Sequence, residues 1–502
     1  SIDEVIILIR IIPTHLYKTY IFFFSHNNRK NNREMYENIA TSYPSQFFYN
    51  ISKISGSVSK NLIKISADNT NASPSQITNL RLPISALLNI ESLMLYFKVD
   101  ITSGAGGPAC IPARNSSTFI KRMSITMNNT TVSIIQDYNM LYNIYNDFTN
   151  KSLSKGIAGQ HTDPSIIWTE GTPSSTQVGL VGANALLAST ANQTGIQLCV
   201  SDFLGFFGSA STKILPTQKT GECVISLEWA NPADCLCGTA EASTATYTGS
   251  NTYTVKDIYA TCEAISLSDD SYYESIGDKD LMFGFNDYIV TKFATVAKKS
   301  GVNVTTYLSA GSIDHVLGTA VYNDAVPSPM VAWGAFGVGD TDANVANVYK
   351  YLSDPETYSN NNSGTAADNV YGDGFFNSKN MMRDLQFLDT SSFAINNKQL
   401  NYAPLNQHEI FNNNMLALNY ENVNFDSNGF HSGMVSLKHF YKYYGAVIQS
   451  LELIDKDQFT LSGLSSQGSS ASINWRASFT GTNNNVEITP VLVAKLSKVL
   501  HV

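Results

Sequence analysis

Charge is scarce in this chain: 15% of its 502 residues are Asp, Glu, Lys or Arg, and 41 acidic against 32 basic side chains leave a net charge of −9. A body that neutralises phosphates needs a surplus of Lys and Arg on one face, so direct nucleic-acid binding by most of the molecule is disfavoured. The start is the exception, where Arg10, Lys18, Arg29, Lys30 and Arg33 outnumber Asp3, Glu4 and Glu34. That stretch reads as a solvated tail, with an arm touching nucleic acid or membrane as the sharper alternative. Cysteine is sparse and lopsided. Cys110, Cys199, Cys223, Cys235, Cys237 and Cys262 all lie in the first half, unlike a disulfide framework spread over a secreted chain, so reduced thiols made in a cytosol fit better. Cys235 and Cys237 form a C-x-C with neither a His nor a second Cys pair nearby, too few ligands for zinc.

Long hydrophobic runs are missing too. VIILIRIIPTHLYKTYIFFF, residues 5 to 24, is interrupted by Arg10, Pro13, His15 and Lys18 within the length of one membrane span, and it lacks the small-residue cleavage site of a signal peptide. Met35 is followed at once by ordinary globular sequence, so residues 1–34 are expected to be an arm or sequence upstream of the working start, within an N-terminal extension over 1–45.

Reaction machinery is absent from the text. It contains no G-x-S-x-G elbow, no H-E-x-x-H, no Walker loop and no G-x-G-x-x-G opening a helix. The eight His (His15, His26, His161, His315, His408, His431, His439, His501) are scattered. Asp340 to Asn344 carries oxygen ligands at alternate positions, but Val345 stands where a calcium loop wants Gly and no Glu closes it. N-x-S/T triplets at Asn115, Asn150, Asn192 and Asn303 are what chance supplies in a chain rich in Asn, Ser and Thr. No catalytic, cofactor-binding or metal-binding residue is assigned, and the chain is read as a non-enzyme without a cofactor or small-molecule substrate.

What is present suits sheets. The chain is 43% hydrophobic with 26 Tyr and 25 Phe, a mixture that fits half-buried pleated surfaces, and its length exceeds what one core serves. From about Gly56 the text becomes strand-like in GSVSKNLIKI, LLNIESLMLYFKV and FIKRMSITM. In the last of these Met123, Ile125 and Met127 alternate with Arg122, Ser124 and Thr126, the period of a strand with one buried face. Asn128-Asn129 supplies a turn, Val132 and Ile134 return, and Tyr138, Leu141, Tyr142, Tyr145 and Phe148 then take helical spacing. That stripe needs a sheet or a neighbouring chain to cover it.

The unit occurs twice. Phe393 and Ile395 alternate with polar neighbours, Asn396-Asn397 makes the turn, Leu400 and Tyr402 return, and Phe411, Met415 and Leu418 look helical. The turns at 128 and 396 stand about half a chain length apart, which points to a duplicated domain. Strand text recurs in each half, together with polar stretches at 150–193 and 323–380. About eight strands, one helix and one long loop per half predict an antiparallel sandwich whose edges need protection.

SLMLYFKVDI followed by STFIKRMSITMNNTTVSIIQDYNMLYNIYNDFT resembles the first-roll pattern of the double jelly-roll major capsid proteins of polinton-like viruses, virophages and their larger DNA-virus relatives. SSFAINNKQLNYAPL resembles the second-roll hairpin, and FTLSGLSSQGSSASINW the Ser-Gly segment near that family's C-terminus. The resemblance covers roughly residues 46 to 502. It implies an all-β chain of two tandem eight-stranded antiparallel jelly rolls, over 46–275 and 276–502, with short helices and long loop insertions. It implies a structural major capsid protein as well, forming homotrimeric, pseudo-hexameric capsomers that tile an icosahedral shell beside penton and minor capsid proteins. The virion shell would be its place, after assembly in the host cytoplasm or nucleus. The aromatic-rich helices are expected to supply inter-subunit contacts, and the insertions an outward tower. A carbohydrate-binding or glycan-processing β-sandwich, with paired carboxylates in a cleft, is the alternative; a surface adhesin or fibre is the third reading.

Overall fold

The computed structural model describes residues 58–84, 86–102, 110–112, 116–148, 168–169, 193–238, 252–267, 280–323, 385, 388–417, 446–452, 461–468, 470–480 and 487–502. By its contacts the chain divides into a small unit, Ser1–Ser59 with Ser266–Tyr273, which lies almost wholly outside those residues, and a large unit, Lys60–Ile265 with Glu274–Val502. Both sandwiches belong to the large unit, so they form one compact body. The N-terminal extension, the calcium-like loop at 340–344 and most of both polar insertions fall outside the described residues.

The first sandwich is built from β1 (Val58–Ser66), β2 (Ile77–Arg81), β3 (Leu87–Thr102), β4 (Ile120–Met127), β5 (Thr130–Gln136), β6 (Gln193–Val200), β7 (Cys223–Trp229) and β8 (Thr252–Leu267). One sheet runs β1-β8-β3-β6 and the other β2-β7-β4-β5; the short strands Trp168–Thr169 and Ile214–Pro216 add to the first beside β6 and β3. The second sandwich uses β9 (Met282–Lys292), β10 (Val302–Leu308), β11 (Ile313–Asn323), β12 (Leu388–Ile395), β13 (Lys398–Gln399), β14 (Val447–Ser450), β15 (Ala471–Phe479) and β16 (Glu487–His501). Its sheets run β9-β16-β11-β14 and β10-β15-β12-β13. Adding eight to each strand number of the first pair of sheets gives the second pair, so the duplication holds strand for strand. This is the winding of an eight-stranded jelly roll.

Side-chain alternation builds both cores. β7, and β4 from Met123 onward, bury every second residue: Cys223, Ile225, Leu227 and Trp229 on β7 and Met123, Ile125 and Met127 on β4, the period-two pattern of strands with one face inward. Each sandwich places a buried Trp on its seventh strand and satisfies the indole N–H. Trp229 donates to Thr78 Oγ1 at 2.8 Å and Trp475 to Ser391 Oγ at 2.9 Å. The second indole lies over Gly318, where a Cβ would sit 2.4 Å from Trp475 Cε2, so only glycine leaves room.

Both Asn-Asn turns take the left-handed backbone expected of them. The φ values are 45° and 61° at Asn128 and Asn129, and 50° and 63° at Asn396 and Asn397, positive at both central residues as a type I′ hairpin requires. A helix follows each hairpin before the sixth strand of its roll: α1 (Tyr138–Phe148) in the first, α2 (Gln407–Ala417) in the second, the latter after a short strand at Leu405–Asn406. The insertions are not equivalent. Residues 150–193 lie between fifth and sixth strands, and 323–380 between third and fourth.

Candidate functional site at the seam between the rolls

The residues that join the two sandwiches form the site that the fold positions. β9 is the edge strand of its sheet and starts the second roll. Its text, MFGFNDYIVTK, departs from alternation: Phe283, Gly284, Phe285, Asp287 and Tyr288 are all buried. Opposite faces of one strand are covered because its own sandwich lies on one side and the first roll on the other.

Three parts of the first roll hold β9. The turn after β6 brings Phe206 against Phe283 and Phe285, with ring centres 6.2 and 5.2 Å away. The same turn caps the edge backbone. Ser211 N–H donates to Gly284 O at 2.8 Å, Gly284 N–H to Ser211 Oγ at 3.1 Å, and Asn286 N–H to Ser209 Oγ at 2.8 Å, so an edge open to foreign strands is closed by the chain itself. Next, β5 presents Ser133, whose hydroxyl donates to Asp287 Oδ1 at 2.7 Å while Lys498 donates to Oδ2 at 2.5 Å. Finally Asp137, between β5 and α1, receives Lys292 at 2.7 Å and Lys121 at 2.5 Å, and Asp234 reaches Lys121 at 3.6 Å. Burial alone would push the Asp137 carboxyl up; Lys121 and Lys292 outweigh it and hold that carboxyl below the ordinary range.

α1 is the wedge. Every residue from Tyr138 to Tyr145 is buried, including Asn139 and Asn143 off the predicted stripe, so over these two turns the helix is covered all round. Tyr138 Oη accepts from Leu204 N–H at 3.1 Å, Tyr142 donates to Asp202 at 3.4 Å, and Tyr145 meets Tyr288 edge-on at 5.2 Å. Burial pushes the phenols of Tyr138, Tyr145 and Tyr288 up, keeping them neutral. Tyr288 begins an in-register row across the sheet, through Lys495 and His315 to Ser450. Glu452 takes Lys495 at 3.2 Å and lies 3.7 Å from His315 Nε2. In the same sheet Asp314 accepts from Ser312 and Ser497 at 2.7 and 2.6 Å.

The arrangement holds rather than reacts, since its carboxylates are taken up by lysines and hydroxyls. It also corrects one expectation. The aromatic stripe Tyr138, Leu141, Tyr142 and Tyr145 is spent inside the chain and is not available to a neighbouring subunit; the side chain of Phe148 lies outside the described residues. In α2 the buried stripe is Ile410, Asn414 and Ala417, with Phe411 half-buried; of the predicted 411–415–418 spacing, the side chain of Met415 and the whole of Leu418 lie outside the described residues. Asn414 bridges the Ala446 carbonyl and Ile448 N–H, which draws that face inward. Cys199, Cys223, Cys235 and Cys262 are buried thiols outside any disulfide, and burial raises Cys199 and Cys223 to about 12. Among the described residues no group of three or more His, Cys, Asp or Glu is placed to hold a metal ion, and no helix is long and apolar enough to cross a membrane. Asn303 sits on β10 and accepts from Asn474 at 2.9 Å. The seam residues Ser133, Asp287 and Lys498 were missed by sequence reasoning; the signal that could have found β9 is its lost alternation.

No family model matches the sequence, and no curated protein matches it. Solved structures do. PBCV-1 VP54, in a structure fitted into a reconstruction of the virophage Sputnik, aligns over 89% of this chain and 95% of its own, with a TM-score of 0.54 and 11% identity. The fold is the double jelly roll. A chain of the PBCV-1 virus capsid aligns over 89% of this chain and 94% of its own at a TM-score of 0.52 and 12% identity. A chain of the Sputnik virophage covers 89% and 86% at 0.50 and 12%. Both rolls of the present double jelly roll are spanned by such coverage.

Proposed function

We propose that the chain is a structural major capsid protein whose copies form homotrimeric, pseudo-hexameric capsomers of an icosahedral virus shell. One observation carries this reading: two rolls of the same strand order are fixed side by side in one unit. A subunit with two similar wedges turns a threefold oligomer into a nearly sixfold outline. The similarity to PBCV-1 capsid and Sputnik virophage chains supports it. The division into an arm over 1–45 and rolls over 46–275 and 276–502 belongs to the same reading, supported by the end of β8 at Leu267 and the start of β9 at Met282. Neighbouring capsomers, penton and minor capsid proteins are its partners, the insertions 150–193 and 323–380 its outward tower, and the virion shell its location. The glycan-handling alternative asked for paired carboxylates in a cleft. Among the described residues, Asp137 and Asp234 bracket Lys121 and Asp68 and Glu222 bracket Arg81.

Native mass measurement of purified full chain tests the proposal. The expected species is a stable trimer of about three times 54.9 kDa, burying over ~2,000 Å² per interface as an obligate assembly does, with a hexagonal outline by electron microscopy. A monomer at micromolar concentration would overturn it. Particle images with residues 323–380 facing inward would overturn the tower assignment.

A further inference from the structure

The sheet face that meets α1 buries one group whose ordinary titration lies near neutral pH. His315 on β11 is 5% exposed, and imidazole is the side chain whose charge changes between about pH 5 and 8. In-register pairing puts it on the same face as Lys495 of β16 and Tyr288 of β9, and Tyr288 meets Tyr145 of α1. The register shifts between Ile313 and His315, and Asp314 reaches that face too, accepting from Ser497 at 2.6 Å two residues beyond Lys495. The segment 461–468 packs closely here. Ile313 and Leu464 exchange backbone hydrogen bonds at 2.8 and 2.9 Å, and a Cβ on Gly463 would stand 2.6 Å from Asp314 Oδ1.

Charges on this face do not balance while the imidazole is neutral. Glu452, just past β14, places Oε1 3.7 Å from His315 Nε2, and Asp314 lies beside the ring on its own strand. One ammonium answers these two carboxylates, that of Lys495, 3.2 Å from the same Glu452 oxygen. Asp314, 1% exposed, is met by the hydroxyls of Ser312 and Ser497. Tyr145 and Tyr288 add no charge, because burial first, and then neighbouring charges that include Asp314 and Glu452, push both phenols up. Asp287 on β9 is taken up by Ser133 and Lys498, and Asp202 by Tyr142. A proton on His315 would set two cations against two carboxylates where little water screens them.

We propose that His315 is a proton-operated fastening of the seam: with the proton bound, the sheet of the second roll meets α1 as a balanced charge cluster, and without it the same face keeps an uncompensated carboxylate. By linkage, the stability this group contributes is fully present below about pH 6.5, the ordinary value of an imidazole, and is lost as pH rises through the value that His315 takes in the fold. The fastening therefore responds in a pH range where the carboxyl of Asp137, held below its ordinary range, stays ionised. It belongs to a single chain and does not depend on how copies associate.

The test uses the full chain and two substitutions: His315→Gln removes the titrating ring, and Glu452→Gln removes one of the two carboxylates. Hydrogen exchange in peptides from β9, β11 and β16, corrected for intrinsic rates, should show the wild type better protected than His315→Gln by up to about tenfold at about pH 6, with the gap closing at about pH 8. A fault of packing alone would leave that gap the same at both. Titration of the histidine ring protons by nuclear magnetic resonance is the second measurement and does not require His315→Gln to fold. The His315 ring should titrate at higher pH in the wild type than in Glu452→Gln. A protection gap that is equal at the two pH values, or wider in alkali, overturns the proposal, as does a His315 ring that titrates identically in the two proteins.

Discussion

Replacing Asp287 with Ala probes the seam where it is most enclosed. Ser133 and Asp287 are 2% and 3% exposed, and the hydroxyl meets the carboxylate at 2.7 Å. A buried hydrogen bond to a charged group contributes about 1.5–3 kcal/mol. Lys498, the other partner, keeps 43% of its side chain in solvent, so after truncation its ammonium can turn to water and the ion pair adds at most about 1 kcal/mol. The expected loss for Asp287→Ala is therefore about 2–3 kcal/mol. Ser133→Ala should cost less, because Lys498 still neutralises the carboxylate. Guanidinium unfolding of both single variants and the double variant isolates their interaction, expected at about 1–2 kcal/mol. Hydrogen exchange adds the structural readout: protection should fall first in peptides from β5 and β9, on both sides of the seam. A coupling below about 0.5 kcal/mol would refute the assignment of this pair as a fastening of the two rolls.

Gly318→Ala forces a Cβ to within 2.4 Å of the Trp475 ring; such overpacking costs about 1–3 kcal/mol, read as a lowered melting temperature and altered tryptophan fluorescence, and an unchanged melt would contradict the packing. At the hairpins, Asn129 and Asn397 hold φ of 61° and 63°. Ala at either should destabilise by about 1–2 kcal/mol and Gly should be tolerated, so equal melting curves for the Ala and Gly variants would argue against the left-handed turn. Asp137, held below the ordinary carboxylate range by Lys121 and Lys292 against the opposing effect of burial, stabilises the fold above a pH of about 4 and loses that contribution as pH falls through its folded value. Asp137→Asn should therefore lower the melting temperature near neutral pH, with the gap to wild type closing under acid; a gap that widens on acidification would reverse the sign.

The duplication was legible because both hairpins use residues whose requirements are local. Asn tolerates positive φ, flanking side chains alternate with a period of two, and neither signal depends on distant contacts. Met123, Ile125 and Met127 were placed inward correctly for the same reason. What covers an element was not legible. The stripe on α1 announced one buried face, but Asn139 and Asn143 are buried as well, Asn139 with its amide donating to the Thr118 carbonyl of the same roll. On α2, Asn414 lies on the buried face, since its amide satisfies the Ala446 carbonyl and Ile448 N–H, which no periodicity reveals. The burial of Asp287 depends on Ser133, more than 150 positions earlier, and on Lys498 in the adjoining strand, partners that no local pattern reveals.

Two copies of one topology in a single chain are free to diverge where separate identical subunits are not. The first roll has used that freedom to give its helix six buried large side chains, Tyr138, Met140, Leu141, Tyr142, Ile144 and Tyr145, and two polar fastenings to the second roll, Asp137 with Lys292 and Ser133 with Asp287. Its contact with the second roll is consequently permanent and internal. The second roll keeps a helix with Leu416 outward and an adjoining Tyr402 in solvent. The divergence is therefore visible in the two helices, since α1 is buried from Tyr138 to Tyr145 while α2 is buried along the stripe of Ile410, Asn414 and Ala417.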